Sequence, residues 1–346
     1  MSTISWKKVI QIALDEAREY YIRHGLPLKL RGLFYILVSK GVIPNTSSMY
    51  QRLSRRLANA RYVGIFPWEY IQDTIRPIYW GDIGYSIPDA EKILEEVTSL
   101  TPEQKEEILK EYLKNRYSVT IRQWENQPYR VIIVVEKDAV FSTLQSMIRY
   151  QLGWDVTMTF SRGFESASQA KKIADYIISL RKNSLIPVIL LIYDFDPSGE
   201  YASIRDFIFR VLLLAVNKNV PRLLKIWKKA KDEEKVEILN ALTTITGVKW
   251  EKVMLTWEQI IEYNIPPKPE FLEVIEKLKR DPRKRWFIEK YGDLYQAEID
   301  AMIALRPEET KKIIDKAIKK YFDVEIYNEV KRKSEELERK LTELLK

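Results

Sequence analysis

Three carboxylates stand where an open parallel sheet gathers its chemistry. Glu136 directly follows the apolar run 129–135 (YRVIIVV), and Asp194 and Asp196 directly follow the run 187–193 (PVILLIY). Loops converge at the carboxyl ends of parallel strands, so side chains there face a common ligand. Acids gathered in that way repel one another unless a divalent cation neutralises them, and hard oxygen donors select magnesium or manganese. The segment Asp196-Pro197-Ser198-Gly199 also suits the capped start of a helix, which accounts for Asp196 but not for an acid after both runs. A calcium loop of the EF-hand type fails at its twelfth position, where Arg205 replaces the required glutamate. A dehalogenase-type Asp-x-Asp belongs on the first strand of its domain, whereas this one follows the third. No Walker-A glycine loop is present to bind a nucleoside triphosphate. Zero cysteines and the single His24 exclude disulfides, thiolate sites and histidine-rich zinc sites, so the chemistry rests on carboxylate, tyrosine, lysine and arginine.

The elements that must hold these acids are legible as alternating patterns. Apolar runs at 129–135, 156–160, 187–193 and 253–255 read as strands, and helical spacing fills 138–151, 166–181 and 199–216. Strands alternating with helices imply an α/β fold with a parallel sheet flanked by helices. Upstream, three short helices are expected at 6–21, 29–40 and 47–62, an order that suggests a helix-turn-helix, with the aromatic stretch 63–80 as a wing. In the third helix Tyr50, Leu53, Leu57 and Ala60 share an apolar face, which directs Arg52, Arg55 and Arg56 elsewhere, toward a phosphate backbone, and Arg61 is counted with them. Residues 1–80 hold twelve of the basic and five of the acidic residues, so seven of the eight net positive charges lie in the first quarter of the 346-residue chain. A basic head on a nearly neutral remainder fits a polyanion-binding module. From 88 to about 116 a charged helical connector follows, and after the Pro-rich joint Pro266, Pro267 and Pro269 the chain ends in a charged helix carrying Leu337, Leu341 and Leu344. The expected domains are 1–80, 81–125, 126–260 and 261–346. No apolar run reaches the ~18 residues that a membrane span needs, so the expected location is cytoplasmic, without a membrane partner.

Glu136 after one strand and Asp194-x-Asp196 after a later one resemble the Toprim fold of topoisomerases, primases and related nucleases. RGLFYILVSKG at 31–41 is similar to the tyrosine-bearing winged-helix segment of topoisomerase VI A subunits and the meiotic double-strand-break proteins, with the same order of winged helix then Toprim. GVIPNT, ANARYVG, ENQPYRV, VVEKDAVF, DFDPSGE, LTWEQIIEYNIPP and AEIDAM look like the compact mini-A branch of phages and archaea, so the resemblance covers most of residues 25–305. Two positions depart from the family: Phe34 stands where many relatives carry a second tyrosine, and Gly32 replaces an acidic residue.

The resemblance implies a type IIB topoisomerase-like activity. Tyr35 matches the nucleophile that forms a 5′-phosphotyrosyl link, and Arg31, one helical turn earlier, is placed to balance charge on the phosphate. Glu136, Asp194 and Asp196 match the metal-binding acids, with Mg2+ or Mn2+ as cofactor. Arg162, with Gly163 in SRGF, matches a Lys-Gly or Arg-Gly turn of relatives and is a candidate phosphate contact, although a surface arginine would read the same way, and Asp300 falls in a late acidic motif. Implied partners are double-stranded DNA, a second copy of the chain in a homodimer, and a separate ATPase subunit of the B type. Two rival readings remain open at this point: a Toprim hydrolytic nuclease that uses water and forms no covalent intermediate, and a non-catalytic DNA-binding plasmid or phage factor.

Overall fold

The computed structural model describes residues 5–24, 27–72, 78–82, 84–115, 121–161, 167–216, 220–267, 282–292 and 295–345. These divide into two compact units, each discontinuous in sequence. One comprises Met1–Pro77, Ser161–Ser179 and Ala202–Val248, the other Ile78–Phe160, Leu180–Tyr201 and Lys249–Lys346.

The first unit opens with α1 (Trp6–His24), the two-residue strand β1 (Leu28–Lys29), α2 (Leu30–Ser39) and α3 (Ser47–Tyr62). Thr46 starts α3 by accepting a hydrogen bond from the Met49 N–H at 3.2 Å, satisfying one of the donors that every helix start leaves unpaired. Val9, Ala13 and Ala17 of α1, Leu33, Phe34 and Leu37 of α2 and Leu53, Leu57 and Ala60 of α3 form one buried cluster, as the helical spacing predicts. The stretch expected to be a wing differs. Among its described residues are a single 3-10 turn (Trp68–Tyr70) and β2 (Ile71–Gln72), which pairs in parallel with β1. A hairpin wing needs antiparallel pairing, and this pairing joins strands on either side of α2 and α3.

The second unit holds α4 (Ile87–Thr98) and α5 (Pro102–Asn115) where one connector helix is expected, the break falling at Ser99–Thr101. Pro102 opens α5, and Thr101 exchanges capping hydrogen bonds with Gln104 at 3.3 and 3.0 Å. Next come β3 (Tyr129–Val135), α6 (Asp138–Gln145) continuing into a π-type turn (Ser146–Gln151), and β4 (Thr157–Phe160). The helix α7 (Ala167–Lys182) leads to β5 (Ile186–Ile192). After β5 the helix expected at 199–216 is divided into a π-type segment (Ser198–Phe207) and α8 (Ile208–Val216). Two helices not anticipated from sequence follow, α9 (Val220–Lys229) and α10 (Asp232–Thr246), which with α8 and most of α7 belong to the first unit, and the second unit resumes with β6 (Lys249–Met254) and α11 (Trp257–Tyr263). The chain continues through α12 (Pro282–Tyr291), α13 (Ile299–Leu305), α14 (Pro307–Lys319) and α15 (Val324–Leu345).

All four long strands are parallel, in the order β4-β3-β5-β6. Val131, Ile133 and Val135 of β3 share one face with Val188, Leu190 and Ile192 of β5, packed against Phe141 and Leu144 of α6, Ile260 of α11, Met302 of α13 and Ile314 and Ile318 of α14. The alternate residues Ile132, Val134, Ile189 and Leu191 are also fully buried, so both strands are apolar throughout, which explains their continuous apolar sequence. Architecture is therefore α/β, a small parallel sheet with helical regions before and after it. Among the described residues no helix is long and apolar enough to cross a membrane.

Candidate functional site

β3 and β5 are paired neighbours, Val135 opposite Ile192, so the residues that follow them emerge side by side. Glu136 sends its N–H to the Ile192 carbonyl at 3.0 Å, and its Oε2 accepts from the Asp194 N–H at 2.9 Å. Two acids far apart in sequence are thus locked together through the backbone. Between the aspartates, Phe195 is fully buried against Phe287 and Tyr291, with ring centroids 5.0 and 4.8 Å away, and Trp257 at 5.6 Å. Its N–H and carbonyl pair with the carbonyl and N–H of Ala297, both at 2.9 Å. That anchor fixes where Asp194 and Asp196 leave the sheet. Asp196 then caps the turn, its Oδ1 accepting from the Gly199 N–H at 2.5 Å. Gly199 is required by space: a Cβ there would lie 2.5 Å from the Asp194 carbonyl oxygen.

Asp194 is almost fully buried, and both of its oxygens are engaged. Oδ1 accepts from the first N–H of α13, at Ile299, at 3.0 Å, and Oδ2 pairs with the Lys137 ammonium at 2.8 Å. Lys137 also meets Glu298 at 2.9 Å and Asp300 at 3.8 Å. Burial works against its charge, but the hydrogen bonds to Asp194 and Glu298 outweigh that and hold its pKa above the ordinary lysine range. A second ammonium, Lys252 of β6, donates to the Asp194 carbonyl at 3.1 Å and pairs with Glu200. Burial pushes the Lys252 pKa down, against the pull of Glu200, Asp196 and Glu136. Glu200 also accepts from the Tyr291 hydroxyl at 2.6 Å, and burial together with that carboxylate raises the Tyr291 pKa.

Among the described residues the site also contains Lys137, Lys252, Glu200, Tyr291 and Glu298, which sequence patterns did not single out. Lys137 and Glu200 lie inside the motifs VVEKDAVF and DFDPSGE, where an ionisable neighbour was a usable signal. Lys252 reaches the site only because β6 pairs with β5, Leu191 opposite Lys252, which no local pattern reveals. Neutralisation expected from a divalent cation is supplied in part by these ammonium groups. Among the described residues no group of three or more acidic side chains is arranged to hold a metal ion. By donor type Glu136, Asp194 and Asp196 suit a hard cation, but as they stand Asp194 is paired with Lys137 and Asp196 accepts from the Gly199 N–H.

In the first unit Tyr35 is 54% exposed on α2, and Arg31, one turn earlier, is exposed as well. The Arg31 guanidinium lies over the Tyr50 ring at 5.4 Å, and Tyr50, Phe34 and Tyr35 stand edge-on in succession at 5.3 and 5.6 Å. Tyr35 is thus held at the surface by rings behind it. Arg52, Arg55 and Arg56 are exposed on α3. Arg61 departs from expectation: it is 3% exposed, donates to the Ile71 carbonyl at 2.6 Å and to the Ser168 hydroxyl at 3.1 Å, and lies over Trp68. Helical phase turns it inward beside Ala60, so it ties segments of its own unit together. Arg162 lies outside the described residues. No protein-family model matches the chain, and comparison with curated proteins finds no match.

Proposed function

We propose that this chain binds duplex DNA and cuts it by transesterification, in the manner of type IIB topoisomerase A subunits, with Tyr35 as nucleophile. In this reading the three helices of the first unit form a helix-turn-helix-like DNA-binding segment and the parallel sheet is of the Toprim kind. The observation that carries the proposal is the junction of Glu136 and Asp194 at paired strand ends, with Asp196 two residues on. An exposed tyrosine backed by an arginine on the same helical face supports the second half. Glu136, Asp194 and Asp196 would hold Mg2+ or Mn2+, which when bound supplies charge stabilisation at the phosphate and the departing oxygen.

The chain's own residues account for the rest. The Tyr35 hydroxyl oxygen bonds to phosphorus, the bond from phosphorus to the 3′ oxygen breaks, and the phenolic proton is balanced by the one gained at the new 3′-hydroxyl. A 5′-phosphotyrosyl ester remains, and the reverse reaction reseals the strand without ATP. Arg31 balances the negative charge that builds on the phosphate. A homodimer, an ATPase partner of the B type and a cytoplasmic location belong to the same reading. To test it, supercoiled plasmid is incubated with the protein and magnesium, then denatured with and without protease. Breaks whose ends migrate freely only after proteolysis are expected, and Tyr35→Phe should abolish them. Ends free of protein before proteolysis would replace this reading with water-dependent hydrolysis, and intact plasmid under all conditions would leave a non-catalytic DNA-binding factor.

A further inference from the structure

α9 was not anticipated from sequence, and its composition is unusual for a helix of a nearly neutral region. It reads VPRLLKIWKK, with Arg222, Lys225, Lys228 and Lys229 exposed. At 100° per residue Arg222, Lys225 and Lys229 share one side, flanked by Lys228, while Trp227 falls on the other. Trp227 is buried and stacked on Phe209 of α8, centroids 3.8 Å apart and planes within 5°, which fixes the rotation of α9 and presents its cations outward. Lys228 then donates to Asn59 of α3 at 3.2 Å. Asn59 lies on the same side of α3 as Arg52, Arg55 and Arg56. Two cationic helix faces, 169 residues apart at their point of contact, are thereby joined within one unit.

We infer that α3 and α9 form a single surface that binds the phosphate backbone of duplex DNA, with Lys225, Lys228 and Lys229 adding to the phosphates held by the α3 arginines. This rests on the DNA-binding part of the reading above. Seven cations lie on the two faces, and none has an ion-pair partner among the described side chains. Each lies within about 10 Å of the Asn59–Lys228 junction along its helix, at 1.5 Å rise per residue. A duplex offers one phosphate charge per ~1.7 Å of axis, enough to engage all of them. The surface favours duplex over single strand because it exposes no stacking ring. Trp6 lies beneath the guanidinium groups of Arg52 and Arg56 at 5.5 and 5.7 Å, and Trp227 is covered by Phe209. Single-strand binding draws on exposed aromatic platforms.

The test is fluorescence anisotropy with a labelled 30-base-pair duplex in magnesium-free buffer across a series of KCl concentrations. Lys225→Gln/Lys228→Gln/Lys229→Gln should weaken binding and flatten the slope of log K against log salt by about 0.9 for each phosphate that is no longer neutralised. Arg52→Gln/Arg55→Gln/Arg56→Gln should do the same, while Lys312→Gln/Lys316→Gln/Lys331→Gln, exposed on α14 and α15, should change neither. Lys225→Gln/Lys229→Gln keeps the bond to Asn59 and should still flatten the slope, which separates removal of charge from displacement of the helix. An α9 variant with the wild-type slope, alongside an α3 variant with a reduced one, would overturn the joint surface and leave DNA binding intact. Equal flattening by the α14 and α15 control would overturn it too, as would tighter binding to the single strand. Failure of the wild type to bind the duplex would remove both this inference and the DNA reading beneath it.

Discussion

Asp194 has each oxygen committed to a different partner, so its charge and its shape can be separated by experiment. Asp194→Asn keeps an acceptor for the Ile299 N–H and removes the charge that Lys137 pairs with. Lys137 is partly exposed and retains Glu298, so no buried charge is stranded and the fold should persist. Magnesium-dependent plasmid cleavage is expected to collapse while the thermal transition remains cooperative, and cleavage at the wild-type rate would sink the metal role. Asp82 offers the opposite case. Burial raises its pKa despite the nearby Arg130 and a hydrogen bond from the Trp124 N–H at 2.9 Å, and its φ of 64° lies in the left-handed region that asparagine tolerates better than most residues. With its folded pKa above the unfolded one, the native state holds its proton more tightly, so stability falls as pH rises from the unfolded pKa through the folded one. Asp82→Asn should therefore raise the melting temperature at pH 7, with the gain shrinking as the pH falls toward the ordinary carboxylate value and lost below it. Equal gains at both pH values would show that the backbone preference alone is responsible.

The turn between β5 and the following π-type segment is the element on which the site depends. Phe195 anchors it below, and Gly199 stands where a Cβ would lie 2.5 Å from the Asp194 carbonyl oxygen. Gly199→Ala should shift Asp194 and Asp196 together, so cleavage should fall sharply even where the overall fold survives in far-UV circular dichroism. Unchanged cleavage would mean that the turn relaxes without moving the acids. At this scale the sequence was informative where one face repeats. The strands β3, β4 and β5, the helices α1 to α3 and both acid-bearing strand ends were readable because apolar runs and helical spacing are local signals. What was not readable came from pairing and phase. β2 joins β1 in parallel instead of forming a wing, Lys252 enters the site from a neighbouring strand, and Arg61 lies inward while Arg52, Arg55 and Arg56 stay exposed. α9 was missed because its apolar side is short and its cations resemble a solvated loop.

At the scale of the whole molecule, a double-strand break requires two tyrosines directed at opposite strands, which a twofold dimer provides. If the tyrosine of one subunit works with the acids of the other, mixing Tyr35→Phe chains with Asp194→Asn chains gives a dimer with one complete site and one that lacks both groups. Such mixtures should nick plasmid, whereas each parent alone should not. A mixture as inactive as its parents, after subunit exchange has been demonstrated by mass, would exclude a shared site. The interleaving of the two compact units has a further consequence, in time. During synthesis the first unit cannot be completed when residue 77 emerges, because its segments 161–179 and 202–248 are still to be made. At 5–20 residues per second the last of these follows roughly 10 to 30 s later. Until then Arg61 lacks Ser168 and Asn59 lacks Lys228, so the nascent N-terminal segment waits as a partly formed helical cluster with its basic residues exposed. A purified fragment of residues 1–77 should accordingly show helical far-UV signal without a cooperative melt, and on ribosomes this segment should resist protease only after the chain has passed residue 248.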